Sequence, residues 1–205
     1  REWLQHFKPI NCGKRLWICP GWQRPAEGGI NLLLDPGLAF GTGTHETTFM
    51  CLEWLDGHNV KQQRAIDFGC GSGILGIAAL LLGAEHVTFI DNDPQAVTAT
   101  RENLRKNDVD ASRYSLLLAE EFERQSNTQP LQVDLLLANI LAGPLISLAT
   151  TISDCVLPSG NLVLSGILED QADGVMQAYL SHFRFEPPIN NNGWVCLTAN
   201  KRPHS

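Results

Sequence analysis

Four glycines fall within eight positions, Gly69, Gly71, Gly73 and Gly76, in the stretch AIDFGCGSGILGIAALLL. Asp67 stands just before them, and Asp91 follows in HVTFID. Residues of these types at this spacing could bind a nucleotide-like ligand. A glycine turn at the carboxyl end of a strand lets backbone approach a ligand and aims the first amides of the next helix into a crevice. An acid at the end of the following strand can accept both hydroxyls of a ribose, and Asp91 stands at that point. Gly71, Gly73 and Gly76 satisfy G-x-G-x-x-G, so a dinucleotide oxidoreductase is one reading. A tight structural turn without ligand is the plainer one.

The other reactive residue types yield less. His45-Glu46 begins H-E-x-x-H, but position 49 is Phe49, so no zinc-protease pair forms and no metal site is expected. Ser72 is not a hydrolase nucleophile, because G-x-S-x-G would need glycine where Cys70 stands. The six cysteines show no C-x-x-C spacing and read as buried or incidental reduced thiols. Thr47 and Thr48 precede FMCLEWL and could cap a helix there, which does not preclude ligand contact at its positive end. Asn139 follows the apolar run DLLLA, where open α/β sheets place ligands; a turn residue is the alternative.

These residues need a scaffold of strands and helices to hold them. RAIDF reads as a buried strand, ILGIAALLL as a helix apolar on all sides and ended by Gly83, and HVTFID as a second strand. Asp93 as N-cap and Pro94 at the first helical position open a helix over DPQAVTATRENLRKN. DLLLANI, NLVLSGI, RFEPPI and WVCLTAN supply further strands, with LEDQADGVMQAYLSHF helical between the second and third of these. ERQSNTQP reads as a polar surface loop. The alternation predicts an α/β fold with a doubly wound, mostly parallel sheet and one antiparallel strand at the end.

Composition sets the bounds. With 205 residues, 43% of them hydrophobic, the chain suits one substantial domain. A net charge of −7 argues against direct nucleic-acid binding and favours a basic protein as partner. No apolar run reaches the roughly 18 residues of a membrane span, and no signal-like segment is visible, so a cytoplasmic location is expected. Residues 1–30 hold Trp3, Trp17 and Trp22 among prolines and glycines. They read as an arm packed on the globule, as a connector to an upstream domain, or as both.

Asp67-Phe-Gly69-Cys-Gly71-Ser-Gly73 resembles the D-x-G-x-G-x-G loop of methyltransferases that use S-adenosylmethionine (AdoMet). DPGLAFGTGTHETT, ANILAGPL, RLWICPGW and GWVCLTANKR extend the likeness over essentially the whole chain to one family. They resemble PrmA, the methyltransferases of large-subunit ribosomal protein L11. The resemblance implies a class I, Rossmann-like fold with a seven-stranded sheet over residues 31–205. It also implies a small upstream domain that grips the substrate, with residues 1–30 as the connector. The activity it implies is methylation of lysine ε-amines and an N-terminal α-amine, with AdoMet as cofactor and a large-subunit ribosomal protein as partner. The matching positions that would contact AdoMet are Thr48, Gly69, Asp91 and Asn139. Gly71 would belong to the loop, Asp67 would order it, and Phe40 and His45 would line the mouth. Asn139 is the candidate for holding the attacking amine, and no general base stands out. Glu46 departs from the family's usual proline in HPTT. A non-catalytic AdoMet-binding module is the alternative outside enzymology.

Overall fold

The computed structural model describes residues 8–21, 25–34 and 45–203. In chain order, β1 (Ile10–Asn11), β2 (Leu16–Cys19) and β3 (Ile30–Leu33) come first, followed by α1 (His45–Gly57). The main alternation follows: β4 (Arg64–Phe68), α2 (Ile74–Leu81), β5 (His86–Asp91), α3 (Pro94–Lys106), β6 (Tyr114–Leu118), α4 (Ala119–Thr128) and β7 (Val133–Asn139). The chain closes with α5 (Ala142–Ser147), α6 (Ala149–Cys155), β8 (Val156–Leu168), α7 (Ala172–Tyr179), β9 (Phe183–Phe185), β10 (Ile189–Asn191) and β11 (Trp194–Lys201).

The main sheet has the order β10-β11-β8-β7-β4-β5-β6, with β9 also paired to β11. Pairs β4–β5, β5–β6, β4–β7 and β7–β8 are parallel, whereas β11 runs antiparallel to β8. The doubly wound sheet with a closing antiparallel strand is the expected one. Its strand count differs because the single strand expected at RFEPPI is two, β9 and β10, so the sheet has eight strands. Pro187 and Pro188 separate them, and proline has no N–H to give to a ladder. The presumed loop ERQSNTQP also differs, since Glu123 to Thr128 complete α4. There Phe122 alone is buried, anchoring the helix, and the Glu121 carboxylate accepts the Leu118 N–H at its first turn. The polarity of that stretch marks a solvent face of a helix.

The helix signals read as expected at α3, where the Asp93 carboxylate accepts the Gln95 N–H at 2.9 Å and Pro94 is the first residue. Gly83 follows α2 at φ +109°, the left-handed region that closes a helix. Two apolar layers cover the sheet. Ile77, Leu80, Leu52 and Leu55 of α2 and α1 lie in one, and Leu145, Ile152 and Tyr179 of α5, α6 and α7 lie in the other. All six cysteines are buried thiols.

The small sheet β1-β2-β3 is fastened to the globule by the apolar packing of Leu16, Ile18 and Leu32 into the layer of α1 and α2 and by polar contacts. The buried Asp56 carboxylate, near the end of α1, accepts the backbone N–H groups of Lys14, Arg15 and Leu16 at 2.6, 2.9 and 2.9 Å. Its burial opposes ionisation, but these three donors and the Arg15 guanidinium win and hold its carboxyl below the usual range. Asn107, just past α3, pairs both ways with the backbone of Leu33. The boundary expected at residue 30 therefore meets β3, which pairs in parallel with β2.

Candidate active site

β4 lies between β5 and β7, and the winding of the sheet reverses beside it, which opens a crevice at the carboxyl ends of these strands. The first turn after β4 is the glycine loop. Gly69, Gly71 and Gly73 have φ of +72°, +55° and +83°, values that an L side chain rarely adopts. A side chain on Gly69 would also strike Ile140, and one on Gly73 would meet the Thr100 methyl at 2.7 Å. Gly71 differs: a Cβ there would meet nothing, because the residue borders the open crevice.

Hydrogen bonds hold the loop from three sides. Gly69 and Cys70 donate to the Ile90 carbonyl at 2.8 and 2.9 Å. The Asp91 carboxylate accepts Gly71 N–H at 3.0 Å through Oδ2 and Asp93 N–H at 2.9 Å through Oδ1. From α3, the Thr100 hydroxyl donates to Gly71 O at 3.0 Å, and Asn103 Nδ2 donates to Ser72 O at 2.8 Å. Both are fully buried polar side chains that the motif reading missed. Thr100, Asn103 and Asn107 recur at i, i+3 and i+7, a polar stripe on one helical face, and that spacing was their signal.

Asp67 lies beneath the loop and is not among the residues bordering the crevice. Its Oδ2 accepts Gly76 N–H at 2.9 Å, in the first turn of α2. Burial pushes its carboxyl up to about 7, opposed by the Gly76 amide and reinforced by the nearby Asp91 charge. This contact bears on the choice of ligand. A pyrophosphate needs free amides and a positive field at the helix start. Here a carboxylate already takes an amide of that first turn, and Asp91 adds negative charge beside it.

The crevice encloses about 560 Å³, within the range of nucleotide-sized sites. Gly69, Gly71, Asp91 and Asn139 all line it, together with the apolar side chains Phe68, Ile90, Phe122, Ile140 and Leu148. Thr48 meets this group from α1. It is buried, and its hydroxyl accepts from Asn139 Nδ2 at 3.3 Å, while Thr47 borders the crevice itself. With Nδ2 engaged, the Asn139 Oδ1 remains as acceptor. Ser165 donates to Thr47 O at 3.0 Å and so ties α1 to β8. Thr47 and Thr48 stand inside α1, which begins at His45, so neither caps the helix as expected, but both lie in its N-terminal turn beside the crevice. Phe40 and the side chain of His45 lie outside the described residues. Glu123 also borders the crevice and carries no motif by which sequence alone would select it; Leu141 and Trp194 border it too, within ANILAGPL and GWVCLTANKR, motifs that by themselves assign them no role.

The residues fit AdoMet. The walls are apolar, one carboxylate stands at the end of β5, and an unsubstituted backbone edge borders the space at Gly71. The model of the family described as Ribosomal protein L11 methyltransferase (PrmA) matches residues 1–202. The chain belongs to the PrmA family. The ribosomal protein L11 methyltransferase of Cellvibrio japonicus is 53% identical over 202 residues, covering 98% of this chain and 67% of that protein. This PrmA chain thus spans about two thirds of such relatives. The crystal structure of a ribosomal protein L11 methylase from Lactobacillus delbrueckii subsp. bulgaricus superposes with a TM-score of 0.81 at 30% identity, covering 96% of this chain and all of that one. A methyltransferase from Pyrococcus furiosus shares the fold at TM-score 0.58 and 14% identity, over 73% of this chain and 80% of that one.

Proposed function

We propose that this PrmA chain is the catalytic part of an AdoMet-dependent methyltransferase. It acts in the cytoplasm on lysine ε-amines and an N-terminal α-amine of ribosomal protein L11. In this reading residues 31–205 hold the cofactor, and residues 1–30 connect to a substrate-recognition domain. The observation that carries it is the convergence of Gly69, Gly71, Asp91 and Asn139, from three strand ends, on one crevice. Family membership supplies the substrate class, and the described residues contain no helix long and apolar enough to cross a membrane.

When bound, AdoMet supplies a methyl carbon on a sulfonium, ready for in-line displacement by an amine lone pair. The chain must position and shield this chemistry. Asp91 offers its carboxylate to the ribose hydroxyls, and the Gly71 edge lets the cofactor approach the backbone closely. Phe122, Ile90 and Leu148 give the nucleoside dry walls. Asn139 keeps its amide fixed through Thr48 and presents Oδ1 to an N–H of the incoming amine, which aims the lone pair away from the amide. Orientation and exclusion of water then supply most of the rate.

The amine must be neutral to attack, and an ordinary lysine with a pKa of about 10.4 is almost wholly protonated near neutrality. Desolvation in an apolar crevice lowers that value. The dinucleotide alternative suffers from the carboxylates at Asp91 and Glu123 on the crevice wall, which repel a pyrophosphate. Calorimetry with AdoMet and with NAD tests the ligand, and transfer of labelled methyl to L11 tests the reaction. Heat from NAD alone, or AdoMet binding without transfer, would overturn the reading.

A further inference from the structure

Leu141 is the most exposed large apolar side chain among the described residues, at 70% of its surface, yet it borders the crevice. It lies two residues beyond Asn139, with φ −65° and ψ 153° at the start of α5. Two residues of chain span at most about 7 Å, so Leu141 stands at the rim while Asn139 stands inside. Nothing in the fold needs a leucine at this rim. Packing does not demand it, its side chain caps no helix amide, and exposure costs apolar hydration.

The charges nearby indicate what it meets. The side chains bordering the crevice include two carboxylates, Asp91 and Glu123, and no lysine, arginine or histidine among the described residues. With Asp91 given to the ribose, the amine head goes to the Asn139 Oδ1, and an apolar stem behind that head lies on the rim beside Leu141. A lysine side chain is a point charge on a four-carbon stem. An N-terminal α-amine carries the same head with no such stem.

Resting on the function proposed above, we infer that Leu141 is a specificity-determining residue for lysine over α-amine substrates. Its side chain packs along the lysine stem and so delivers the ε-nitrogen to Asn139 Oδ1. One apolar contact of this size is worth about tenfold or more in discrimination.

The test uses the full chain and two peptides, one with a single lysine and an acetylated N-terminus, the other with a free N-terminus and no lysine. In Leu141→Ser, kcat/KM for the lysine peptide should fall about tenfold, mainly through KM. The α-amine peptide should stay within about twofold. Leu141→Met, which keeps the apolar reach, should restore lysine methylation, and the AdoMet Kd should be the same in all three proteins. Equal losses on both peptides, or no loss on the lysine peptide, would overturn the role of Leu141 and leave the methyltransferase reading intact. Wild-type protein that binds AdoMet but methylates neither peptide would overturn both.

Discussion

Asp67→Asn should remove a pH-dependent burden on folding. The carboxyl is pushed up to about 7 in the folded chain from an ordinary value of 3.8. A difference of about 3 units at 1.36 kcal/mol each is roughly 4 kcal/mol, an upper figure for so buried a group. Between pH 4 and pH 7 the folded chain keeps a proton that the unfolded chain has released. The contribution of Asp67 to stability therefore falls as pH rises through that window and is constant above it. Asparagine is neutral throughout, and its Oδ1 can still accept the Gly76 N–H. The assay is urea unfolding of both proteins at steps from pH 4 to pH 8, taking mutant minus wild type at each step so that other titrating groups cancel. The difference should climb by several kcal/mol in favour of the mutant, most steeply midway between the two pKa values. A flat difference would refute the reasoning, because it would mean that Asp67 ionises in the folded chain as readily as in the unfolded one.

Asp91→Ala should weaken AdoMet binding by roughly 2–4 kcal/mol, since charge-assisted hydrogen bonds are lost, and calorimetry showing unchanged affinity would remove Asp91 from the site. Asn139→Ala should lower kcat more than it raises KM for a lysine substrate, because orientation of the amine matters most in the transition state; wild-type turnover would reduce Asn139 to a turn residue. Asp56→Ala should cost about 3 kcal/mol of stability in urea, as three amides at the turn between β1 and β2 lose one charged acceptor. Unchanged amide exchange at Lys14 to Leu16 in that variant would show that the small sheet holds without it.

Much of the site was legible because its chemistry depends on backbone. Gly69, Gly71 and Gly73 are glycines for reasons of φ, and a sequence displays that requirement openly. Asp91 and Asn139 end apolar strands, so the hydrophobic pattern of the chain is enough to place them. Asp67 was legible as a member of the motif, but its position beneath the loop was not, because sequence does not say which way a strand-end carboxylate turns. The straps from Thr100 and Asn103 were hidden for another reason: they act across 29 and 31 residues, and only the packing of α3 on the loop brings them there. Helix α4 was misread because one buried residue, Phe122, is enough to hold a ten-residue helix whose other members, Ala119 apart, are polar. RFEPPI was misread because its apolar pattern continues through two prolines that its hydrogen bonding cannot.

That interruption bears on how the protein behaves when crowded. An open sheet ends in a row of unpaired amides and carbonyls, and a long flat row of that kind is a template on which another chain can add itself. Beyond β11 the sheet ends in two three-residue pieces set apart by Pro187 and Pro188, each paired to β11, and the second carries Asn190 and Asn191. Neither piece is long enough to seat a foreign strand in register, and the prolines give it no N–H to bond between them. The same two residues that break the pattern of the strand thus guard this border of the sheet against edge-to-edge growth.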